Sequence, residues 1–213
     1  MTDGKRRMRA ASDVGGTFTD LVYYDFDPAT GICGTVRMAK TDTTPPNFER
    51  GVMNGLAKAG VSGKDLDFFA HGSTVVINAL TERKGARTAL ITTKGFRDVL
   101  EIARGNRPDL FNFSFRKPKA FVDRYLRTEL KERVNYKGEM VMPADMSPLD
   151  DMVAFFKAEG VEAIAISFLH AYVNPDNERA VAARIKDLWP EVSVLASHEI
   201  SREWREYERT NTT

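Results

Sequence analysis

The chain has 213 residues, enough for one generous α/β domain or two small ones. With 42% hydrophobic and 29% charged residues it has the composition of a folded globular protein, and its net charge of +1 gives no global attraction to nucleic acid or an anionic membrane. Cys33 is its single cysteine, so the fold does not rest on an internal disulfide, and no apolar run approaches the ~20 residues of a membrane-spanning helix. The basic start, with Lys5, Arg6 and Arg7, lacks the apolar stretch of a secretory signal, so a cytoplasmic protein is expected.

In chain order, Arg9 to Val14 and Phe18 to Tyr24 read as two strands around Gly15-Gly16. Cys33 to Met38 reads as a third. After Pro45-Pro46, the apolar residues Phe48, Val52, Leu56 and Ala59 recur at helical spacing until Gly60. Leu66 to Ala70 is a short apolar strand that ends in His71-Gly72-Ser73-Thr74, and a helix follows through Val75, Val76, Ala79 and Leu80. Thr88 to Thr92 is strand-like and Gly95 to Ile102 helix-like. Arg127 to Val134 and Glu139 to Val141 flank a hairpin turn at Asn135–Gly138.

The last third alternates regularly. A helix from Leu149 to Glu159 ends at Gly160, Ala163 to Phe168 is a buried strand, and a helix from Asn174-Pro175 runs to Leu188. Val192 to Ala196 is the next strand. Strands alternating with helices of this length predict a mixed, mostly parallel sheet with flanking helices. Residues 201–213 carry charged and apolar residues at helical spacing up to the last residue, as at the start of a further domain.

The most specific local signal is Asp13-Val14-Gly15-Gly16-Thr17-Phe18-Thr19-Asp20. Paired glycines let a backbone turn tightly and bring its N–H groups against an anion. Thr17 and Thr19 add hydroxyls suited to phosphate oxygens, and Asp13 at the strand end suits a hydrated Mg²⁺. The block is neither the dinucleotide-binding glycine pattern nor a Walker loop. The competing reading is a plain hairpin turn, for which Gly-Gly is common. His71, Thr74 and Asn78 read either as cleft residues that contact substrate or phosphate, or as a helix cap made by Ser73 or Thr74 with a structural histidine beside it.

From residue 97 to 137 there are 11 Lys/Arg against 6 Asp/Glu, with Arg104, Arg107 and Arg116 among Phe111, Phe113 and Phe115. Arginines of this kind clamp carboxylates or phosphates, or simply form a solvated face; with no nucleic-acid-binding module in the chain, a nucleic-acid partner is not expected. His170 and His198 follow predicted strands. There is no HExxH, no Cys/His cluster and no GxSxG, so neither a transition-metal site nor a serine triad is expected, and Cys33 has no base beside it in sequence.

The glycine block resembles the first phosphate loop of the actin/hexokinase/Hsp70 superfamily. Further blocks narrow the resemblance: His71-Gly72-Ser73-Thr74-Val75-Val76-Ile77-Asn78-Ala79-Leu80, Gly85-Ala86-Arg87-Thr88-Ala89-Leu90, Thr93-Lys94-Gly95-Phe96-Arg97-Asp98, Arg104-Gly105-Asn106-Arg107-Pro108-Asp109-Leu110, Ser167 through Pro175, and Arg205-Glu206-Tyr207-Glu208-Arg209. Together they are similar to the amino-terminal region of the hydantoinase A/5-oxoprolinase/acetophenone carboxylase family.

The resemblance implies an α/β fold of the actin/ribonuclease H-like ATPase type, with residues 1–200 forming the amino-terminal domain and 201–213 the start of the next. It implies ATP and Mg²⁺ as cofactors, with Asp13 holding Mg²⁺ through water and Gly15, Gly16, Thr17, Thr19 and Asp20 at the phosphates. Asp13 and His71 are the implied catalytic residues; Thr74, Asn78, Arg104 and Arg107 are the implied substrate contacts. The implied reaction phosphorylates a cyclic amide oxygen so that water can open the ring. The rivals are a subunit of an aryl-ketone carboxylase and a non-catalytic nucleotide-binding scaffold. A hydantoinase B-type partner subunit or domain and an oligomeric assembly are implied as well.

Overall fold

The computed structural model describes residues 7–106 and 109–213. The chain divides into two compact units, Met1–Gly85 and Ala86–Thr213.

The first unit is a four-stranded sheet. Strands β1 (Arg7–Val14), β2 (Phe18–Phe26) and β3 (Arg37–Asp42) form an antiparallel meander, helix α1 (Phe48–Ala59) crosses over, and β4 (Leu66–Ser73) returns parallel to β1, giving the order β3-β2-β1-β4. Helix α2 (Val75–Glu82) follows. Gly51, Gly55 and Leu56 of α1 are buried, and Leu56 packs with Ala10, Leu21 and Val61. Gly60 closes α1 in the left-handed conformation (φ 66°), as its position in the sequence predicts.

The third strand lies later than its apolarity suggests. Cys33 makes only an isolated bridge to Phe26, whereas the ladder to β2 runs from Arg37 to Asp42. Strand pairing follows backbone register, and here a polar, alternating segment supplies it, with Ala39 facing α1 and Met38 exposed.

The second unit contains an all-parallel sheet in the order β10-β9-β5-β6, built from β5 (Thr88–Thr93), β6 (Arg127–Leu130), β9 (Ala163–Ser167) and β10 (Ser193–Ala196). Between β5 and β6 lies the short helix α3 (Val99–Ile102). Between β6 and β9 come the hairpin β7 (Arg133–Val134) and β8 (Met140–Met142), then α4 (Leu149–Ala158). Helix α5 (Asp176–Leu188) joins β9 to β10, and α6 (Ser197–Ile200) and α7 (Glu206–Thr212) complete the unit. Every residue of β9 is buried, and the core gathers Leu90, Ile91, Phe156, Ile164, Ile166 and Ile185. The continuous apolar run is the mark of a strand covered on both faces.

Two expectations change here. The helix expected from Gly95 is confined to Val99–Ile102, because Gly95 has φ 92° and the Glu129 carboxylate accepts from the N–H groups of Gly95 (2.7 Å) and Arg97 (3.1 Å), holding the segment as a turn. The arm expected from Arg127 to Val134 splits: β6 joins the parallel sheet, while β7 pairs with β8.

At the split the Glu132 side chain turns inward. It is buried, accepts a hydrogen bond from Thr93 Oγ1, and accepts one from Asn177 Nδ2 at 2.8 Å. Burial pushes its carboxyl above the usual range, against the opposing pull of those two hydrogen bonds. The folded state therefore holds this proton to higher pH than the unfolded chain. Its stabilising contribution is complete below the unfolded value of about 4.3 and is lost as pH rises through the folded value. Chemical denaturation of the wild type and Glu132→Gln should give a stability difference that falls, at the expense of the wild type, as pH rises above the unfolded value of about 4.3. A difference independent of pH would refute the assignment.

A second buried set fixes the end of the chain. Glu178, fully buried, accepts from Phe168 N (2.9 Å), Ser197 Oγ (2.6 Å), His198 N (3.0 Å) and His198 Nδ1 (2.7 Å). Arg209, also fully buried, donates to Phe168 O (2.8 Å), Glu203 O (2.8 Å) and Ser197 Oγ (3.1 Å). Helix α7 is thus locked into the second unit. Arg209→Met keeps bulk but leaves these acceptors without donors and removes the cation 3.6 Å from Glu206. A loss of about 3–5 kcal/mol in urea denaturation is expected from buried acceptors left unmet at about 1–3 kcal/mol each, and a loss below about 1 kcal/mol would overturn this account.

Candidate functional site

The link between β1 and β2 is Gly15-Gly16-Thr17, with Gly15 N donating to Phe18 O at 2.9 Å. Neither glycine adopts positive φ. The mirror-image turns that favour Gly-Gly in plain hairpins need positive φ, so turn dihedrals do not explain these residues. Space does. A Cβ on Gly16 would lie 2.9 Å from Asn78 Nδ2, and one on Gly15 would lie 3.1 Å from Phe18 O and 3.9 Å from Thr74 Oγ1. Gly15 is crowded by the Phe18 carbonyl of its own turn, and Gly16 by the end of the Asn78 side chain on α2.

Two flanking segments hold the loop. Thr74 N donates to Val14 O at 3.0 Å, and Ser73 Oγ donates to the same carbonyl at 3.3 Å. On the other side Thr43 N donates to Thr17 O at 2.9 Å, while Thr43 Oγ1 donates to Gly15 O at 2.9 Å. A hydroxyl has one proton, so the 3.1 Å contact between Thr19 Oγ1 and Thr43 Oγ1 must run from Thr19 to Thr43. Thr43 was invisible as a site residue in the sequence; nothing about a Thr-Thr pair before two prolines marks it as a brace. Among the described residues the N–H groups of Gly16 and Thr17 have no acceptor, and both residues are exposed.

Each residue singled out in the sequence can now be placed. Gly15, Gly16, Thr74 and Asn78 come together as described, and Thr17 is exposed at the tip. Thr19 is withdrawn from the phosphate set: it is fully buried, faces α1 through Gly51, and its proton is committed to Thr43. Asp13 and Asp20 are register partners across β1 and β2, so they share a face of the sheet. Asp20 pairs with Lys40 at 3.2 Å, whereas Asp13 is exposed and makes no ion pair among the described residues.

His71 stands on the opposite face from Asp13. Its register partner is Ser12, whose Oγ lies 2.8 Å from His71 Nδ1, while Asp13 is the partner of Gly72. The two residues implied as catalytic therefore lie on opposite faces of the sheet. The cap expected ahead of α2 is partial: Ser73 Oγ accepts from Val75 N at 3.3 Å, and Thr74 makes no side-chain cap.

Arg104 belongs to the second unit and is ion-paired with Glu208 of α7. Arg107 lies outside the described residues. His198 is a buried structural partner of Glu178, and His170 follows β9 in the left-handed conformation (φ 57°). Among the described residues no three His, Cys, Asp or Glu side chains cluster as metal ligands, and no helix is long and apolar enough to cross a membrane.

Residues 9–189 match the family described as the hydantoinase/oxoprolinase N-terminal region. An uncharacterized protein of Methanocaldococcus jannaschii is 37% identical over 208 residues, which are 96% of this chain and 30% of that protein. The caprolactamase subunit alpha of Pseudomonas jessenii is 33% identical over 219 residues, covering 98% of this chain and 31% of the subunit. The solved nucleotide-free acetone carboxylase superposes with a TM-score of 0.85 at 28% identity, over 98% of this chain and 32% of that one. The chain thus spans about a third of the length of the relatives it matches.

The two kinds of glycine contact predict different responses. A Cβ on Gly51 of α1 would lie 2.7 Å from Thr19 Oγ1 and 3.3 Å from Asp42 O, atoms that cannot yield. Gly51→Ala should therefore cost about 1–2 kcal/mol net, the strain of overpacking exceeding the better helix propensity of alanine. Gly16→Ala meets only the end of the Asn78 amide, which can swing away, and should change stability by less than about 0.5 kcal/mol. Melting temperatures of the two variants decide, and equal losses would remove the distinction between brace and site.

Proposed function

Because the chain belongs to the hydantoinase/oxoprolinase N-terminal family, we propose that it supplies the phosphate-holding part of an ATP-dependent enzyme that activates a cyclic amide carbonyl for hydrolysis. The observation that carries this reading is the β1–β2 loop, which is crowded at both glycines, braced from both sides, and leaves the Gly16 and Thr17 N–H groups without an acceptor among the described residues. Convergent backbone donors of this kind bind anionic oxygens. The meander β1-β2-β3 extended by the parallel strand β4 supports an ATPase lobe of the actin/ribonuclease H-like type.

In this reading the Gly16 and Thr17 N–H groups and the Thr17 hydroxyl hold phosphate oxygens, and Asn78 and Thr74 border them. Phosphoryl transfer is catalysed largely by positioning and charge neutralisation, which a preorganised loop provides. Mg²⁺, when bound, would neutralise phosphate charge. The donor set fits it: one exposed, unpaired carboxylate, Asp13, beside a phosphate site is the sparse protein ligation this ion takes. The solved ATP-dependent caprolactamase of Pseudomonas jessenii, 31% identical with a TM-score of 0.77, supports the amide substrate. The second reading, a subunit of an ATP-dependent ketone carboxylase, is supported by the likeness to acetone carboxylase. Both readings include a partner subunit or domain of the hydantoinase B type and an oligomeric assembly.

Asp13→Asn tests the role of the carboxylate. In the polypeptide carrying the full length typical of the relatives, turnover with ATP and lactam should fall about a hundred- to a thousandfold, roughly 3–4 kcal/mol, while the melting temperature holds. An active but destabilised variant would make Asp13 a turn residue instead. The 213-residue chain itself should bind Mg·ATP no tighter than the high micromolar range, since it holds part of the contacts and still loses the full translational and rotational freedom. Tight, stoichiometric binding in calorimetry would contradict a site shared with further chain.

A further inference from the structure

A groove of about 270 Å³ lies on the α1 side of the first unit, between α1 and the end of β4. Its wall is apolar, from Phe48, Val52 and Met53, and its polar groups with capacity for a ligand are Glu49 and His71, the Ser73 hydroxyl being committed to Val14 O. Val14 and Ser73 also line it. Val14 precedes Gly15 directly and its carbonyl accepts from Ser73 Oγ, so the groove and the braced loop share a wall. The volume is at the small end of ligand pockets and suits one compact ring.

The two polar groups are complementary. His71 is oriented by Ser12 at Nδ1 and lies parallel to the Phe69 ring, with centroids 6.5 Å apart. Ser12 Oγ has no other hydrogen-bond partner among the described residues, so it can donate to Nδ1 and leave Nε2 as the ring's N–H donor. Glu49 makes no hydrogen bond or ion pair among the described residues, and its carboxylate can only accept. A lactam ring forces its amide cis, so its C=O and N–H point to the same side as an acceptor next to a donor. Nε2–H and the Glu49 carboxylate are the matching donor and acceptor. A ketone of equal size satisfies His71 but leaves the carboxylate covered without a hydrogen bond, which selects against it.

We propose that this groove holds the acceptor ring, that His71 binds its carbonyl oxygen, and that Glu49 is the residue selecting cyclic amides over ketones. The assignment rests on the phosphate reading of the adjoining loop, and the two can fail separately.

The test is a titration of the ¹³C-methionine, ¹⁵N-labelled chain, followed by NMR, with ε-caprolactam, cyclohexanone and Mg·ATP as separate probes. Caprolactam should shift the Met53 methyl and the His71 ring signals, and bind at least about tenfold better than cyclohexanone. Glu49→Leu should abolish that preference with an unchanged melting temperature, whereas His71→Phe should weaken both rings. Mg·ATP should shift the Gly16 and Thr17 amides. If Mg·ATP moves the loop while Met53 and His71 stay silent to about 50 mM caprolactam, a concentration that detects even millimolar binding, the groove assignment is overturned and the phosphate reading stands. If caprolactam moves Met53 and His71 while the loop is silent to Mg·ATP, the groove stands and the phosphate reading falls. Equal affinity for lactam and ketone, or a preference that survives Glu49→Leu, removes the selecting role of Glu49.

Discussion

Close approach of α1 to the β1–β2 ladder is the constraint from which the first unit follows. It depends on the missing side chain at position 51, where a Cβ would meet Thr19 Oγ1 at 2.7 Å; at Gly55 a Cβ would make an ordinary contact, 3.6 Å from Leu21 Cβ. At that separation Thr19 is sealed beneath the helix, and its only outlet is the Thr43 hydroxyl. Thr43 passes the bond on to Gly15 O. A buried chain of two hydroxyls thus ties helix packing to the carbonyl of the loop, and Thr43 occupies the Gly15 and Thr17 carbonyls from below. What remains at its surface is donor-rich, which is the condition for holding an anion.

The same sheet separates chemistry by face. Side chains alternate, so Ser12, Val14, Thr19, Leu21 and His71 lie on the α1 face, and Asp13, Asp20 and Lys40 on the other. Two carboxylates opposite each other on a ladder repel. Lys40 relieves Asp20 and leaves Asp13 as the uncompensated charge at the strand end. The loop lies where both faces end, so an anion held there can meet a cation site from one face and a neutral organic ligand from the other. A catalytic pairing of Asp13 with His71 across the sheet would require a register shift of one residue in β4, which would turn every side chain of that strand over.

How far this was legible in the sequence depended on the range of the interaction. The hairpin, α1 with its glycine stop, and the regular alternation of the last third follow from local periodicity and backbone preference, and these elements stand close to where the pattern puts them. The glycine block was legible as a candidate site, but its crowding was not: glycine was explained by turning, whereas neither residue has positive φ and the side chain beside Gly16 is Asn78, more than sixty residues on. Thr19 was misassigned because a strand pattern gives alternation without saying which face a helix covers. The shortened helix after Gly95 failed for the same reason: its competitor is the side chain of Glu129, on another strand.

The second unit sharpens the argument about which polar residues carry chemistry. It holds the most concentrated buried polar groups among the described residues. Arg97 Nε, Arg127 Nη1, His170 Nδ1 and Glu206 Oε1 are buried there without a hydrogen-bond partner, but the central groups are satisfied: Glu178 by four donors, Arg209 by three acceptors, Ser167 by Thr210. Buried and fully paired, such groups fix one arrangement of the chain and have little left to offer a ligand. The first unit has the opposite character. Its candidate residues are exposed or half-buried, and several keep unused capacity: the N–H groups of Gly16 and Thr17, the carboxylates of Asp13 and Glu49, and Nε2 of His71. Histidine makes the contrast within one residue type. His198 gives Nδ1 to a buried carboxylate and locks the end of the chain, whereas His71 spends one nitrogen on Ser12 and keeps the other free at a groove. Capacity left over at the surface after folding, rather than the residue type visible in the sequence, is what separates the candidate site from the scaffold.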